Sequence, residues 1–214
     1  MSDLHNSIYS REVLDFVSCS QNFCKWIENT EIPDSKSFVR HGLSILPKLY
    51  SMMISIPLIE PVFDQPSEKF VTEEDWAEVY RRVTDTLGEM NEYTDIPDKA
   101  EYDRSELITR KISEDISDIY QDLGDFLEVF RNSPEEIMND ALWECRMHFE
   151  SSWGEKLLRI SRAMHNIYLK DDSTVARTEQ KSMEEGSYKK IDTSDWFITK
   201  RQQEYSDDDE IIPE

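Results

Sequence analysis

Five carboxylates within twelve residues form the group in this sequence with the clearest capacity for chemistry. They are Glu114, Asp115, Asp118, Asp122 and Asp125. At about 100° of rotation per residue on a helix, Asp115 and Asp122 fall on the border of the apolar stripe, and Asp118 lies further out. A carboxylate on such a border is half-buried and needs a cation, a hydrogen-bond donor or a proton. We therefore expect salt bridges to Arg or Lys of a neighbouring helix, and a ligand site is the alternative.

Aromatic residues in the same part of the chain form a second candidate group. They are Tyr120, Trp143, Phe149 and Trp153. Packing in a helical core is the simplest interpretation of these rings. The alternative is a pocket between two helices that is lined by the rings and rimmed by Asp115 and Asp122. Because carboxylates and aromatic faces both attract cations, this pocket would suit a small cationic or amine-bearing ligand.

A metal site requires a more specific pattern. Dinuclear helical bundles use Glu-x-x-His on two helices with two further carboxylates, whereas this chain has Glu144-x-x-x-His148 and no second pair. The zinc-protease motif His-Glu-x-x-His is also absent. A site built from Asp118, Asp122 and His148 is the metal alternative that the sequence leaves open. We expect no metal or other cofactor.

The sequence shows no nucleophile arranged for catalysis, and we predict no catalytic residues. Cys145 lies on an apolar stripe, where a cysteine serves as small packing material. The absence of a Gly-rich loop or Walker motif excludes nucleotide binding by those devices. The three cysteines, Cys19, Cys24 and Cys145, form neither a disulfide framework nor a CxxC zinc site. They indicate a reduced, cytoplasmic protein.

These side chains are expected on helices, because the apolar residues recur mostly at three- and four-residue steps. The first predicted helix spans about 7–29, and Asp34 or Ser35 is the predicted N-cap of the second. Pro47 should bend or break this second helix. We expect an ordered loop over 57–71.

The second half of the chain gives the stronger helical signals. Thr72-Glu-Glu-Asp predicts the start of a third helix, and a second loop is expected over 89–102. The fourth predicted helix runs over 105–130. Ser133-Pro134-Glu135-Glu136 then opens a stripe whose period is about 3.6 residues. This stripe predicts one long C-terminal helix over about 134–169.

Together these segments predict an all-α fold, an antiparallel bundle of four to five helices over residues 1–170. Residues 171–214 carry 13 acids and 6 bases and are predicted to be an acidic, largely flexible tail. The segment 192–199, which contains Trp196, Phe197 and Ile198, is a candidate docking segment within this tail.

The charge of the chain excludes several classes of partner. Its 214 residues include 24 Lys or Arg and 46 Asp or Glu, which gives a net charge of −22. Such a surface repels the phosphate backbone of nucleic acids and anionic membrane surfaces. No run of about 18 uncharged apolar residues is present, and the N-terminus lacks the pattern of a secretory signal. We expect no nucleic-acid or membrane partner.

Three motifs stand out in the second half of the chain: Glu114-Asp-Ile-Ser-Asp-Ile-Tyr-Gln-Asp-Leu123, Ala141-Leu-Trp-Glu-Cys-Arg-Met-His-Phe149 and Trp153-Gly154. They resemble a bacterial family that is known as a domain of unknown function, DUF5063. The resemblance covers about residues 100–168 and implies an all-helical cytoplasmic protein without an assigned activity. Where the family has His before Trp-Gly, this chain has Ser152. The residues that match the family pattern are Asp115, Asp118, Tyr120, Asp122, Trp143, Phe149, Trp153 and Gly154.

The leading functional prediction is a non-catalytic helical module that binds another protein or a small cationic ligand, because no catalytic group is assembled in the sequence. One alternative is a metal-dependent or acid-base enzyme that uses the inter-helix carboxylates together with His148. Another is an acidic decoy or inhibitor that occupies the basic surface of a nucleic-acid-binding protein. The sequence leaves the identity of the partner and the oligomeric state open.

Overall fold

The computed structural model of this protein describes residues 7–29, 34–63, 66–95 and 107–179 together with Leu4. The main helices of these ranges are α1 (Arg11–Glu28), α2 (Ser35–Ser55), α3 (Glu73–Leu87), α4 (Ile112–Asn132), α5 (Glu135–His148) and α6 (Gly154–Glu179). In this part of the chain, the β structure is one two-stranded sheet. The prediction of an all-α helical bundle is therefore confirmed.

Helix α4 lies at the centre of the bundle, because α1, α3 and α5 all pack against it. Its apolar stripe is buried, and the Phe126 ring lies 5.5 Å from the Phe16 ring of α1. Phe149, immediately after α5, is only 8% exposed. The apolar sides of α4 and α5 therefore face the same core, as their sequence stripes predicted.

Helix α2 begins as predicted, and Pro47 does not break it. The Asp34 carboxylate accepts the backbone N–H groups of Lys36 at 3.0 Å and Ser37 at 3.2 Å, which satisfies donors that the first turn leaves unpaired. The helix then continues through Pro47 without a break. Pro47 is exposed, and buried leucines and an isoleucine close to it hold the helix against the core. Their packing outweighs the one backbone hydrogen bond that the proline ring removes.

A small sheet that the sequence did not predict precedes α4. Strand β1 (Glu92–Asp95) pairs antiparallel with strand β2 (Ile108–Lys111), and a 3-10 turn over Gly88–Asn91 leads into β1. The predictions of a loop over 89–102 and of a helix from 105 were therefore wrong where the structure describes these residues.

Two features explain the displaced start of α4. Ile108 lies four residues before Ile112, so an apolar strand residue imitates the helical period. The boundary is fixed by Asn91, whose side-chain oxygen accepts the backbone N–H of Ser113 at 2.9 Å. The Asn91 amide also donates to the Ser113 hydroxyl at 2.9 Å. Because these bonds join residues 22 positions apart, no local pattern indicates them.

Helices α5 and α6 form one continuous helical run that a π turn over Phe149–Trp153 divides. This confirms the long C-terminal helix, although α6 extends to Glu179, beyond the predicted end near residue 169. A Cβ atom at Gly154 would lie 2.6 Å from the Phe149 carbonyl oxygen and 2.8 Å from the nearest atoms of its ring. The turn therefore needs glycine at this position.

The predicted ordered loop follows α2. We call its described residues, 57–63 and 66–71, the strap. Within the described ranges no helix combines the length and apolar character that crossing a membrane requires. Of the predicted flexible tail over 171–214, the first residues continue α6 to Glu179. The remainder of the tail, with its docking segment 192–199, lies outside the described residues.

Candidate functional site

Asp115, the first of the predicted border carboxylates, is buried and paired. The Tyr93 hydroxyl of β1 donates to its Oδ2 atom at 2.5 Å. The Arg159 guanidinium of α6 lies 3.6 Å from Oδ1. Burial raises the pKa of the Asp115 carboxyl, although both partners act in the opposite direction. The cation expected from a neighbouring helix is therefore present at this position.

Asp118 and Asp122, one turn apart on α4, have different partners. Asp118 accepts the indole N–H of Trp76 at 2.9 Å and forms a salt bridge with Lys156 of α6. Asp122 instead contacts His148 of α5, with 2.7 Å between Oδ1 and Nδ1. Burial raises the pKa of the Asp122 carboxyl against the opposing effect of this imidazole. The border carboxylates are therefore engaged within the bundle.

Two further aspartates bind the backbone of the strap. Asp125 was grouped with the α4 carboxylates, whereas sequence reasoning missed Asp140. Each accepts two consecutive backbone N–H groups: Asp140 from Val62 (2.6 Å) and Phe63 (2.7 Å), and Asp125 from Phe70 (2.7 Å) and Val71 (2.8 Å). The signal for this role is an acid at a buried helix position beside a proline-rich loop, whose backbone donors need partners.

Glu144 of α5 also holds the strap. Its carboxylate accepts the backbone N–H of Ser67 at 2.8 Å and the Lys69 ammonium at 3.1 Å. Burial alone would raise the pKa of the Glu144 carboxyl, but the donors of Ser67 and Lys69 together lower it below its ordinary value. Glu144 is therefore a charged structural group in the folded protein.

His148 lies between two carboxylates, beside a small depression of the surface. Its Nδ1 atom contacts Asp122, and its Nε2 atom is 3.8 Å from the Glu144 carboxylate. The depression lined by these side chains and Cys145 has a volume of about 10 Å³, which is barely enough for one water molecule. Burial raises the pKa of the Cys145 thiol well above its ordinary value. The depression beside the imidazole is therefore too small to enclose a substrate.

The metal alternative is not assembled in the structure. Among the described residues, no three His, Cys, Asp or Glu side chains lie close enough together to hold a metal ion. Asp118 faces Trp76 and Lys156, whereas Asp122 and His148 face each other. Asp118 therefore has partners other than the Asp122–His148 pair, and the three proposed ligands do not converge on one point.

The predicted aromatic residues are not all brought together. Phe149 and Trp153 pack edge to face, with 4.7 Å between ring centroids. The Tyr120 hydroxyl instead donates to the Glu28 carboxylate of α1 at 2.9 Å, and Trp143 is half-buried on α5. Phe149 and Trp153 therefore belong to the core, and binding of a cation by the four rings stays a prediction.

A groove of about 600 Å³ lies elsewhere, between α1 and α2, and we call it the α1–α2 groove. One wall consists of Cys19, Asn22, Lys25, Trp26 and Asn29, and the other of Ser37, His41, Ser44, Ile45 and Lys48. The residues of each wall follow one another mainly at three- and four-residue steps, so each set occupies one face of its helix. Polar, cationic and aromatic side chains thus line a space large enough for a small molecule.

The aromatic pair of this groove is Trp26 and His41. Their ring centroids are 5.0 Å apart and their planes are inclined by 32°. Burial and the nearby charge of Lys48 both lower the pKa of the His41 imidazole. The imidazole is therefore uncharged at neutral pH and presents a flat ring beside the indole.

Sequence reasoning missed this groove, because neither Trp26 nor His41 was among its candidate residues. A usable signal was present in α2. Its 21 residues include Lys36, Arg40 and Lys48 but no acid, in a chain whose net charge is −22.

The fold and these sites define a class of protein: a helical bundle whose internal carboxylates hold a long strap and whose first two helices form a groove. Residues 7–170 match the family described as Domain of unknown function (DUF5063), and the chain belongs to this family. The resemblance noted from the motifs of α4, α5 and the π turn is thereby confirmed.

One similar solved structure is the crystal structure of protein BF1032 from Bacteroides fragilis. The two chains are 34% identical, and the TM-score is 0.66. The match covers 75% of this chain and 94% of that chain. No curated protein matches the chain.

Proposed function

We propose that the protein is a non-catalytic binding module that holds a small molecule in the α1–α2 groove. The observation that carries this proposal is the groove itself. Its volume of about 600 Å³ falls within the range of small-molecule sites, about 300–1,000 Å³. Its lining combines an aromatic pair with amides, hydroxyls and ammonium groups, and polar groups of this kind orient a bound ligand.

The surroundings of His148, compared with the α1–α2 groove, favour a binding function over catalysis. The imidazole has two neighbouring carboxylates, but the adjoining depression of about 10 Å³ is too small to enclose a substrate. Their positions between α4, α5 and the strap instead suit a structural role. The enzymatic and acidic-decoy alternatives stay predictions, as does binding of a cationic ligand or of a protein.

We also propose a cytoplasmic location for this module. The three cysteines, all buried, are free thiols in the structure. Burial raises the pKa of Cys24 to about 12, which keeps this thiol protonated and unreactive at neutral pH. Such thiols are typical of a reducing compartment.

The test is to obstruct the groove without disturbing the core. Asn22 lines the groove and is exposed, whereas the neighbouring exposed amide Gln21 does not line it. We expect Asn22→Trp to abolish the binding of small aromatic probes that shift the amide resonances of α1 and α2 in the NMR spectrum of the full chain. Gln21→Trp, with the same change of side chain, should leave this binding unchanged. Equal binding by both variants would place the site elsewhere and overturn the proposal.

A further inference from the structure

We infer that the α1–α2 groove selects a planar oxyanion, an aromatic carboxylate or phosphate whose ring lies against Trp26 and His41 and whose charge is met by Lys25 and Lys48. This inference rests on the proposed function, because it names the chemical class of the ligand for the same groove. The charges, the aromatic pair and the rim donors each contribute separate support.

The charges of the groove are opposite to those of the whole chain. The lining formed by the described residues contains Lys25 and Lys48 but no Asp or Glu. The whole chain has nearly twice as many acids as bases. A groove without a carboxylate is therefore unusual for this surface. It is the arrangement that an anionic ligand needs, because an adjacent carboxylate would repel it.

Lys25 and Lys48 are available to a ligand. Each is exposed and they lie on opposite walls of the groove. Among the described residues neither ammonium forms a salt bridge, whereas Lys69 and Lys156 are both paired with carboxylates. The positive charge of Lys48 also lowers the pKa of the His41 imidazole, so this charge contributes to the electrostatic potential of the groove. An oxyanion between the two walls would therefore gain two new charge-assisted contacts.

The aromatic surface is held in place before a ligand arrives. The Trp26 ring packs against Phe38 at 4.6 Å and against Phe23 at 5.9 Å. Gly42 lies beside this ring, and a Cβ there would lie 3.3 Å from the indole and 2.5 Å from Met164. A ring that is already fixed loses little conformational entropy when a flat ligand stacks on it.

Polar groups along the rim can complete the recognition of the oxyanion. The Asn22 amide and the Ser44 hydroxyl lie on opposite walls and can both donate hydrogen bonds. Distant carboxylates oppose an anion only over the Debye length, about 8 Å at physiological ionic strength. An anion in the groove would contact Lys25 and Lys48 at distances shorter than this. The net electrostatic interaction at the groove would therefore be attractive.

The experiment compares three probes that share one ring and differ in charge. Indole-3-acetate is an anion, indole-3-acetamide is neutral, and tryptamine is a cation. We expect the full chain to bind indole-3-acetate about tenfold more tightly than the amide, since hydrogen bonds to charged groups are stronger. Tryptamine should bind more weakly than both. Phenyl phosphate, compared with phenol, tests the phosphate form in the same way.

Two matched double variants test whether Lys25 and Lys48 provide the preference for the anionic probe. Lys25→Gln/Lys48→Gln should remove the preference, so that indole-3-acetate and indole-3-acetamide bind this variant with similar affinity. Arg11→Gln/Arg81→Gln changes the net charge equally at exposed positions away from the groove and should retain the preference. Both double variants should keep the far-ultraviolet circular dichroism of the unaltered protein, because all four side chains are exposed.

The possible failures are distinguishable. If the amide binds the groove as tightly as the acetate, or if tryptamine binds best, the anion inference is wrong while binding in the groove stands. If none of the probes perturbs α1 and α2, both the inference and the proposed function are wrong. If the preference survives in Lys25→Gln/Lys48→Gln, the two lysines do not provide it, and the inference is overturned.

Discussion

At Asp122 and Glu144, two largely buried carboxylates have pKa values displaced in opposite directions. The difference comes from their hydrogen-bond donors. Glu144 receives a backbone N–H and an ammonium group, which stabilise its charged form. Asp122 receives one contact, from His148, and burial dominates its pKa. At the scale of single residues, the surrounding donors therefore decide the role more than the residue type.

The Glu144 carboxylate should stabilise the fold in a pH-dependent manner. Its folded pKa lies below the ordinary value of 4.5, so its contribution is present above that pH and is lost as pH falls through the folded pKa. We expect Glu144→Gln to lower the free energy of unfolding by about 1 kcal/mol at neutral pH. The difference from the unaltered protein should shrink in acid, and urea unfolding at several pH values measures it.

Glu150→Gln is the matched control for this prediction. Glu150 is a half-exposed carboxylate that pairs with Arg146 one turn away on the same helical run. Surface pairs of this kind contribute about 0–1 kcal/mol, so its loss should be small at every pH. A deficit for Glu144→Gln that is equally large in acid and at neutral pH would contradict the assigned role of its charge.

At the scale of elements, the helices could be predicted because their apolar stripes are local patterns. The stripe of α4 and the cap at Asp34 were readable from sequence. The two-stranded sheet could not be predicted, because Ile108 continues the helical spacing of the apolar residues. The start of α4 is fixed by Asn91, whose hydrogen bond to Ser113 joins residues 22 positions apart. The hydrogen bonds between Asp140 and the strap were not predicted for the same reason, since their donors lie 77 and 78 residues away in the chain. Long-range polar contacts were therefore the unpredictable part of the fold and of the candidate site.

The π turn between α5 and α6 should depend on Gly154. Replacing a helical glycine with alanine ordinarily stabilises a protein by about 1 kcal/mol. Here the new Cβ would lie 2.6 Å from the Phe149 carbonyl oxygen, and the backbone must shift. We expect Gly154→Ala to lower the free energy of unfolding by about 1–3 kcal/mol, measured by urea denaturation.

The neighbouring position provides the comparison for Gly154. Ser152 is half-buried in the same turn, and Ser152→Ala should change stability by no more than about 0.5 kcal/mol. A stabilised Gly154→Ala variant would show that the turn relaxes without strain, and the requirement for glycine would then be wrong.

At the scale of the whole molecule, charge is distributed unevenly among the helices. Helix α3 has five acids and two arginines, whereas α2 has three basic residues and no acid. Sequence reasoning did not predict this asymmetry, because it used the net charge of the whole chain. The net charge does not give the charge of a single helix. An anion in the α1–α2 groove would be attracted by adjacent lysines and repelled by more distant carboxylates.

Ionic strength separates these two effects, because salt screens distant charges first. The Debye length falls from about 30 Å near 10 mM salt to about 8 Å near 150 mM. We therefore expect the dissociation constant of indole-3-acetate to fall about two- to threefold over this range, as repulsion by distant carboxylates is removed while the contacts with Lys25 and Lys48 persist. Titration calorimetry measures this change, and neutral indole-3-acetamide is the control that should show none. A dissociation constant for the acetate that rises over the same range would mean that the rest of the molecule does not oppose the anion.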